Sequence, residues 1–228
     1  MSLAEIVLDI ETVADVSPEV RAALVARIKP RANLTDPYKI RQDVAEKEAA
    51  IDEKAALSPA TGRVVAVGLA IRPPGDVWHE HVVTCWPDDP QSVPRFTSDI
   101  SPEALILRAV GNLLWPHHEA TFVTFCGRTF DLPFLQARIA RHQLAENFRY
   151  SLTTRGRGLD LFDVLGQEYG LDIWARALLG RGKLASGEKV AGIVADKRWD
   201  WLRAYCLDDV RITREIYERL GGAMLLRS

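Results

Sequence analysis

The spacing of apolar and polar positions changes several times along the chain, and each change marks an element. Ile6-Val7-Leu8 is an apolar, β-branched-rich run that predicts a strand over Ile6–Ile10. Val13–Ala60 is richer in charge and alanine and is punctuated by Pro18, Pro30, Pro37 and Pro59. Within it, Tyr38–Leu57 combines strong helix formers with mixed charges three and four apart, which predicts a solvated surface helix. Residues from about 14 to 60 therefore read as a helical insertion. Arg63–Ile71 (RVVAVGLAI) predicts a buried strand, Pro73-Pro74-Gly75-Asp76 a turn, and Val77–Trp86 another strand. With the first strand these predict an antiparallel meander. Ser101 as N-cap with Pro102 in the first turn opens a helix that runs to about Trp115, before Pro116. Thr121–Phe125 alternates Thr with apolar residues as a strand, Gly127-Arg128-Thr129 turns the chain, and Phe130–Gln143 reads as a helix. Leu159–Gly166 starts a further helix or short strand, and Trp199–Leu220 is the last helix.

Three strands, helix, strand, helix is the order of a layered α/β fold with a mixed sheet and a central first strand. At 228 residues, 47% hydrophobic and 26% charged, the chain suits one globular domain over residues 1–228 that carries the insertion. A formal charge of −2 excludes a globally basic nucleic-acid binder but leaves room for local basic patches. Cys85, Cys126 and Cys206 are scattered and odd in number, with no Cys-x-x-Cys pair, which argues against a disulfide framework or a zinc site and fits a reducing cytosol. No basic region precedes the first apolar run, so no signal peptide is expected. Apolar stretches such as Val64–Ile71 are too short to span a bilayer, so no membrane partner is expected.

The chemistry-bearing residues are acids. Asp9 and Glu11 are two apart on a strand and so point to one side. Two close carboxylates at the end of a buried strand repel, and a hard divalent cation such as Mg²⁺ or Mn²⁺ offsets that repulsion. Among 31 acidic residues such a triplet arises about once by chance, so surface decoration is the plain alternative. Asp131 follows a strand and a glycine turn and opens a helix, where a carboxylate equally serves as a cap. On the last helix, Trp201, Tyr205, Ile212 and Ile216 form an apolar stripe at helical spacing. Asp209 lies on that stripe four residues after Tyr205, and Asp208 lies at its edge. Spacing alone does not choose between the two acids.

Taken together, Asp9-Ile10-Glu11-Thr12, Phe130-Asp131-Leu132-Pro133 and Tyr205-Cys206-Leu207-Asp208-Asp209-Val210 resemble the motifs of the DEDD exonuclease superfamily in its tyrosine subclass. Within it, the chain is most similar to 3′–5′ exonucleases related to the proofreading domain of family B DNA polymerases. The resemblance covers nearly the whole chain. It implies a ribonuclease H-like fold with a central mixed sheet flanked by helices. It also implies two Mg²⁺ or Mn²⁺ ions held by Asp9, Glu11, Asp131 and Asp209, with Asp9 bridging the two. It selects Asp209 over Asp208 and gives Tyr205 the task of orienting the attacking water. His79, His81, His117, His118 and His142 lie away from the third motif, in keeping with the tyrosine subclass. One departure is Cys126, where such families often carry asparagine before the glycine. Asp160 is a secondary candidate, with a cap or ion pair as its plainer role.

The activity implied is metal-dependent hydrolysis of single-stranded nucleic acid from 3′ ends, releasing nucleoside 5′-monophosphates, with DNA favoured over RNA. An exoribonuclease of the same superfamily and a catalytically silent nucleic-acid-binding domain are the rival readings. Proofreading or repair would require a polymerase or repair partner in trans. Substrate contacts are expected from Thr12, Gly127, Phe130, Arg155, Arg157 and Lys183, with Arg149, Arg181 and Lys189 in the same basic loops. The sequence does not fix the oligomeric state.

Overall fold

The computed structural model describes residues 3–86, 89, 91–92, 100–117, 119–148, 158–184 and 190–222. Arg149, Arg155, Arg157, Lys189 and His118 lie outside them. The chain divides into two compact units, Met1–Glu11 with Val64–Ser228, and Thr12–Arg63.

The larger unit is built on a five-stranded sheet in the order β3-β2-β1-β4-β5. The strands are β1 (Glu5–Ala14), β2 (Gly62–Arg72), β3 (His79–Thr84), β4 (Thr121–Thr124) and β5 (Gly158–Asp160). β2 and β3 are antiparallel, and β1, β4 and β5 run parallel. The sheet is therefore mixed, and β1 is its central strand, as the element order predicts.

Side-chain alternation splits β1 between two cores. Ile6, Leu8 and Ile10 pack with Leu107, Val110, Phe134 and Leu135 from α4 (Pro102–Leu114) and α5 (Asp131–Arg141). Val7 packs on the other face with Val210, Ile212 and Ile216 of α9 (Trp199–Arg219). Asp9 and Glu11 continue the parity of Val7. Ser101 caps α4 by accepting the Ala104 N–H at 3.2 Å, which is the start that Ser-Pro predicts. Glu103 of the first turn of α4 is buried and accepts from the Val64 N–H, from Arg138 and from His142. Removing one member of so buried a pair costs about 3–5 kcal/mol, so this cluster fixes α4 and α5 to β2. Between β5 and α9 lie α6 (Leu161–Val164), α7 (Leu171–Leu179) and α8 (Val190–Ala195). The stretch Leu159–Gly166 thus holds both the short strand and the short helix.

The smaller unit carries α1 (Pro18–Ala26), α2 (Pro37–Ala49) and α3 (Ile51–Ala56). Ser17 and Asp36 cap the first two of these through Val20 and Tyr38 N–H groups. The single helix expected over Tyr38–Leu57 is broken at Ala50. The break turns Ile51 and Ala55 inward, whereas α2 buries Asp43 alone. Packing overrides a uniformly helical propensity here. Among the described residues, no helix is long and apolar enough to cross a membrane.

Candidate metal centre

Three elements of the larger unit deliver the acids. β1 supplies Asp9 and Glu11, the N-terminus of α5 supplies Asp131, and the middle of α9 supplies Asp209. Glu11, Asp131 and Asp209 are buried and Asp9 is half-buried. The nearness of the four shows in their protonation. Burial drives the Asp9 pKa far up, and Asp131, Asp209 and Glu11 add to it as like charges. Glu11 is raised by burial and then by Asp209. Burial lifts Asp131 to about 7 although the Ile10 N–H pulls the other way. Burial lifts Asp209 to about 6 against the lowering effect of Lys183.

Asp131 does not cap its own helix in the usual manner. Its Oδ1 accepts the Ile10 N–H at 3.0 Å, so the carboxylate ties the start of α5 to the central strand between Asp9 and Glu11. This link spans 121 residues of sequence.

On α9 the two adjacent aspartates separate by their partners. Asp208 accepts from Arg181 at 3.1 Å and from the Leu184 N–H at 2.8 Å, and so anchors the loop after α7. Asp209 instead pairs with Lys183, whose Nζ lies 2.5 Å from Oδ2. Among the described residues, Asp209 Oδ1 is buried without a hydrogen-bond partner. An orphaned carboxylate oxygen among like charges is a ligand position in want of a cation. The donor set of four carboxylates suits Mg²⁺ or Mn²⁺.

Tyr205 is buried on the same helix face, and Lys183 Nζ is 3.5 Å from its hydroxyl. Burial and then Glu11 and Asp209 raise the phenol pKa, so the group stays protonated at neutral pH. Burial opposes the Lys183 charge, but Asp209, Tyr205 and Asp9 outweigh it and hold the ammonium protonated. Trp201 lies off the buried stripe. Its ring stacks on Tyr205 at 5.6 Å and is 36% exposed.

Cys206 was not expected at this centre. Its Sγ and one carboxylate oxygen each of Asp9 and Glu11 all lie within 4.8 Å of one another. The signal was present in the helical spacing, because Cys206 precedes Asp209 by three and shares its face. α9 comes this close because β2 has Gly68 beneath it. A Cβ there would lie 2.7 Å from Val210 Cγ2 and 2.9 Å from Cys206 Sγ.

The remaining expected contacts fall in several places. The Thr12 hydroxyl donates to the Ala56 carbonyl at 2.8 Å within the smaller unit. Gly127 packs against Thr124, 2.4 Å from where a Cβ would sit, and Phe130 is half-buried against the core and Phe134. Asp160 accepts from the N–H groups of Cys126 and Arg128, both at 2.8 Å, and caps α6 through Phe162. It shapes the turn before Asp131, in line with the plainer role expected of it.

The mixed sheet flanked by helices, with β1 at its centre and β1, β4 and β5 parallel, has the ribonuclease H-like α/β fold. No family model matches the chain, and no curated protein does. Among solved structures it is similar to the family B DNA polymerase from the hyperthermophilic archaeon Pyrobaculum calidifontis, with a TM-score of 0.56 and 18% identity. The match covers 96% of this chain and 25% of the polymerase chain, so this chain spans about a quarter of the polymerase's length. The likeness is one of fold.

Proposed function

We propose that the protein is a divalent-metal-dependent 3′–5′ exonuclease that hydrolyses single-stranded nucleic acid, preferably DNA, and releases nucleoside 5′-monophosphates. One observation carries this reading: four acids from β1, α5 and α9 meet in a buried centre, with an Asp209 oxygen that has no hydrogen-bond partner among the described residues beside the Tyr205 phenol. The likeness of fold to the polymerase and the three motifs support it. The three free thiols accord with a reducing, cytosolic setting. Proofreading or repair would rest on a polymerase partner in trans.

Asp9, Glu11, Asp131 and Asp209 would hold two Mg²⁺ or Mn²⁺ ions, with Asp9 shared. Such ions, when bound, activate water and stabilise the leaving oxygen of a phosphodiester. Tyr205, a protonated phenol, orients the attacking water through its hydroxyl. Lys183, paired with Asp209, would neutralise acid charge before metal arrives and then meet substrate phosphate. Thr12, Gly127 and Phe130, with Arg155 and Arg157, complete the proposed substrate contacts.

The test is digestion of 5′-labelled single-stranded DNA and RNA with Mg²⁺, Mn²⁺ or chelator, beside Asp9→Ala and Tyr205→Phe. The expected result is a metal-dependent ladder that shortens from the 3′ end, absent with Asp9→Ala and slowed by about 10²-fold or more with Tyr205→Phe. A ladder on RNA alone overturns the DNA preference. Binding without cleavage in every metal overturns the enzyme reading.

A further inference from the structure

The acids account for hard cations, but they leave the Cys206 thiol at the centre unexplained. Cys206 is wholly buried on the inner face of α9. Its Sγ is within 4.8 Å of carboxylate oxygens of both Asp9 and Glu11. A tetrahedral zinc site has Zn–S of about 2.3 Å and Zn–O of about 2.0–2.2 Å, which sets neighbouring donors about 3.5 Å apart. The three donors need only a small closure to reach that spacing. The Asp209 carboxylate, 4% exposed and with Oδ1 lacking a hydrogen-bond partner among the described residues, is a near like charge to both Asp9 and Glu11 and the nearby acid that could complete the set.

We propose that Asp9, Glu11, Cys206 and Asp209 form a second coordination mode of this centre, which takes a thiophilic divalent cation of the Zn²⁺ class with Cys206 sulfur as a ligand. The proposal rests on the metal-binding role given to the acids above. Thiolate donors favour Zn²⁺ and Cd²⁺, and carboxylates alone favour Mg²⁺ and Mn²⁺. The centre therefore has two settings, and a Zn²⁺-class ion competes with the hard ions for Asp9 and Glu11. Binding forms a metal–sulfur bond and releases the thiol proton to solvent, with no change of oxidation state.

The test uses the reduced, full-length, metal-free protein. Cd²⁺ is titrated while the sulfur-to-metal charge-transfer absorption is followed, and Mn²⁺ binding is measured separately by electron paramagnetic resonance. Wild type is expected to develop the band with one equivalent of Cd²⁺. Cys206→Ser and Cys206→Ala are expected to lack it and to keep Mn²⁺ affinity within about twofold. Loss of this ligand is expected to weaken Cd²⁺ binding by at least about 10–100-fold, the cost usual for a mere outer-shell partner. Asp9→Asn keeps the thiol and is expected to lose the tight phase, which tests the site without altering the cysteine. Mn²⁺ binding to wild type with no charge-transfer band overturns the thiol ligand and leaves the acid centre standing. A band that survives in both Cys206 variants does the same. Failure of wild type to bind either ion overturns the metal reading of the acids, and this proposal with it.

Discussion

Lys183 places its ammonium 2.5 Å from Asp209 Oδ2 and 3.5 Å from the Tyr205 hydroxyl, so its positive charge stands against the acid cluster. It offsets part of the repulsion among Asp9, Glu11 and Asp209. Replacing it by the similarly long Met leaves a buried carboxylate uncompensated, a loss of about 3–5 kcal/mol at most, since the acids relieve it by binding protons. Lys183→Met is expected to lower the melting temperature in chelator. Mn²⁺ is expected to recover more of that temperature in the variant than it adds to wild type, because a ligand stabilises in proportion to its binding. Calorimetry with and without Mn²⁺ checks this, and equal Mn²⁺ shifts in the two proteins would contradict it.

The acids also set a pH dependence with a definite sign. Asp131 is raised to about 7 and Asp209 to about 6, both mainly by burial. An unfolded aspartate titrates at about 3.9. Between these values the folded state holds more protons than the unfolded state, so stability falls as pH rises through the window. Metal-free protein is therefore expected to melt at progressively lower temperature from pH 5 to pH 8. Saturating Mn²⁺, which binds the ionised acids, is expected to flatten or reverse the trend. Asp131→Asn is expected to shallow the metal-free slope. A flat metal-free profile would remove the electrostatic account of the centre.

The sheet alternation was legible from sequence, because a strand period of two puts Asp9 and Glu11 opposite Ile6, Leu8 and Ile10 whatever else the chain does. The Ser101 cap was legible for an equally local reason. The break at Ala50 was not, since neither glycine nor proline marks it and the burial of Ile51 and Ala55 decides it. The choice of Lys183 from several basic loop residues was also out of reach. It depends on Asp172 accepting the Lys183 N–H and Asp208 accepting the Leu184 N–H, two tertiary contacts that set the path of the loop. The same contacts commit Asp208 and leave Asp209 to the centre, a division that helical spacing left open.

Cys126 adopts φ of 63°, in the left-handed region, while its N–H donates to Asp160. A side chain there costs about 1–2 kcal/mol, and Asn tolerates the region best among non-glycine residues. The asparagine common at this place in the resembling families thus has a backbone reason. Cys126→Asn is expected to stabilise the protein by about 0.5–1 kcal/mol without altering Mn²⁺ affinity. Chemical denaturation measures the gain. A loss of stability would show that the thiol packs there with a benefit larger than the backbone strain.

Gly68 sets how near α9 lies to β2, and hence where Tyr205, Cys206 and Asp209 stand. A methyl at this position would lie 2.7 Å from Val210 Cγ2, 2.9 Å from Cys206 Sγ and 3.1 Å from the Cys206 carbonyl oxygen. The last contact is backbone, so a rotamer change cannot relieve it and the helix must move. Overpacking of this kind costs about 1–3 kcal/mol. A displacement of even about 1 Å at a reacting centre costs about 10²-fold in rate. Gly68→Ala is therefore expected to leave a folded protein of reduced stability whose Mn²⁺ affinity, and rate in the proposed nuclease assay, fall further than the stability does. Adding Val210→Ala relieves one of the three contacts but not the backbone one. It is expected to recover stability more than metal affinity. Parallel recovery of both would mean that side-chain crowding, and not the position of α9, carries the effect.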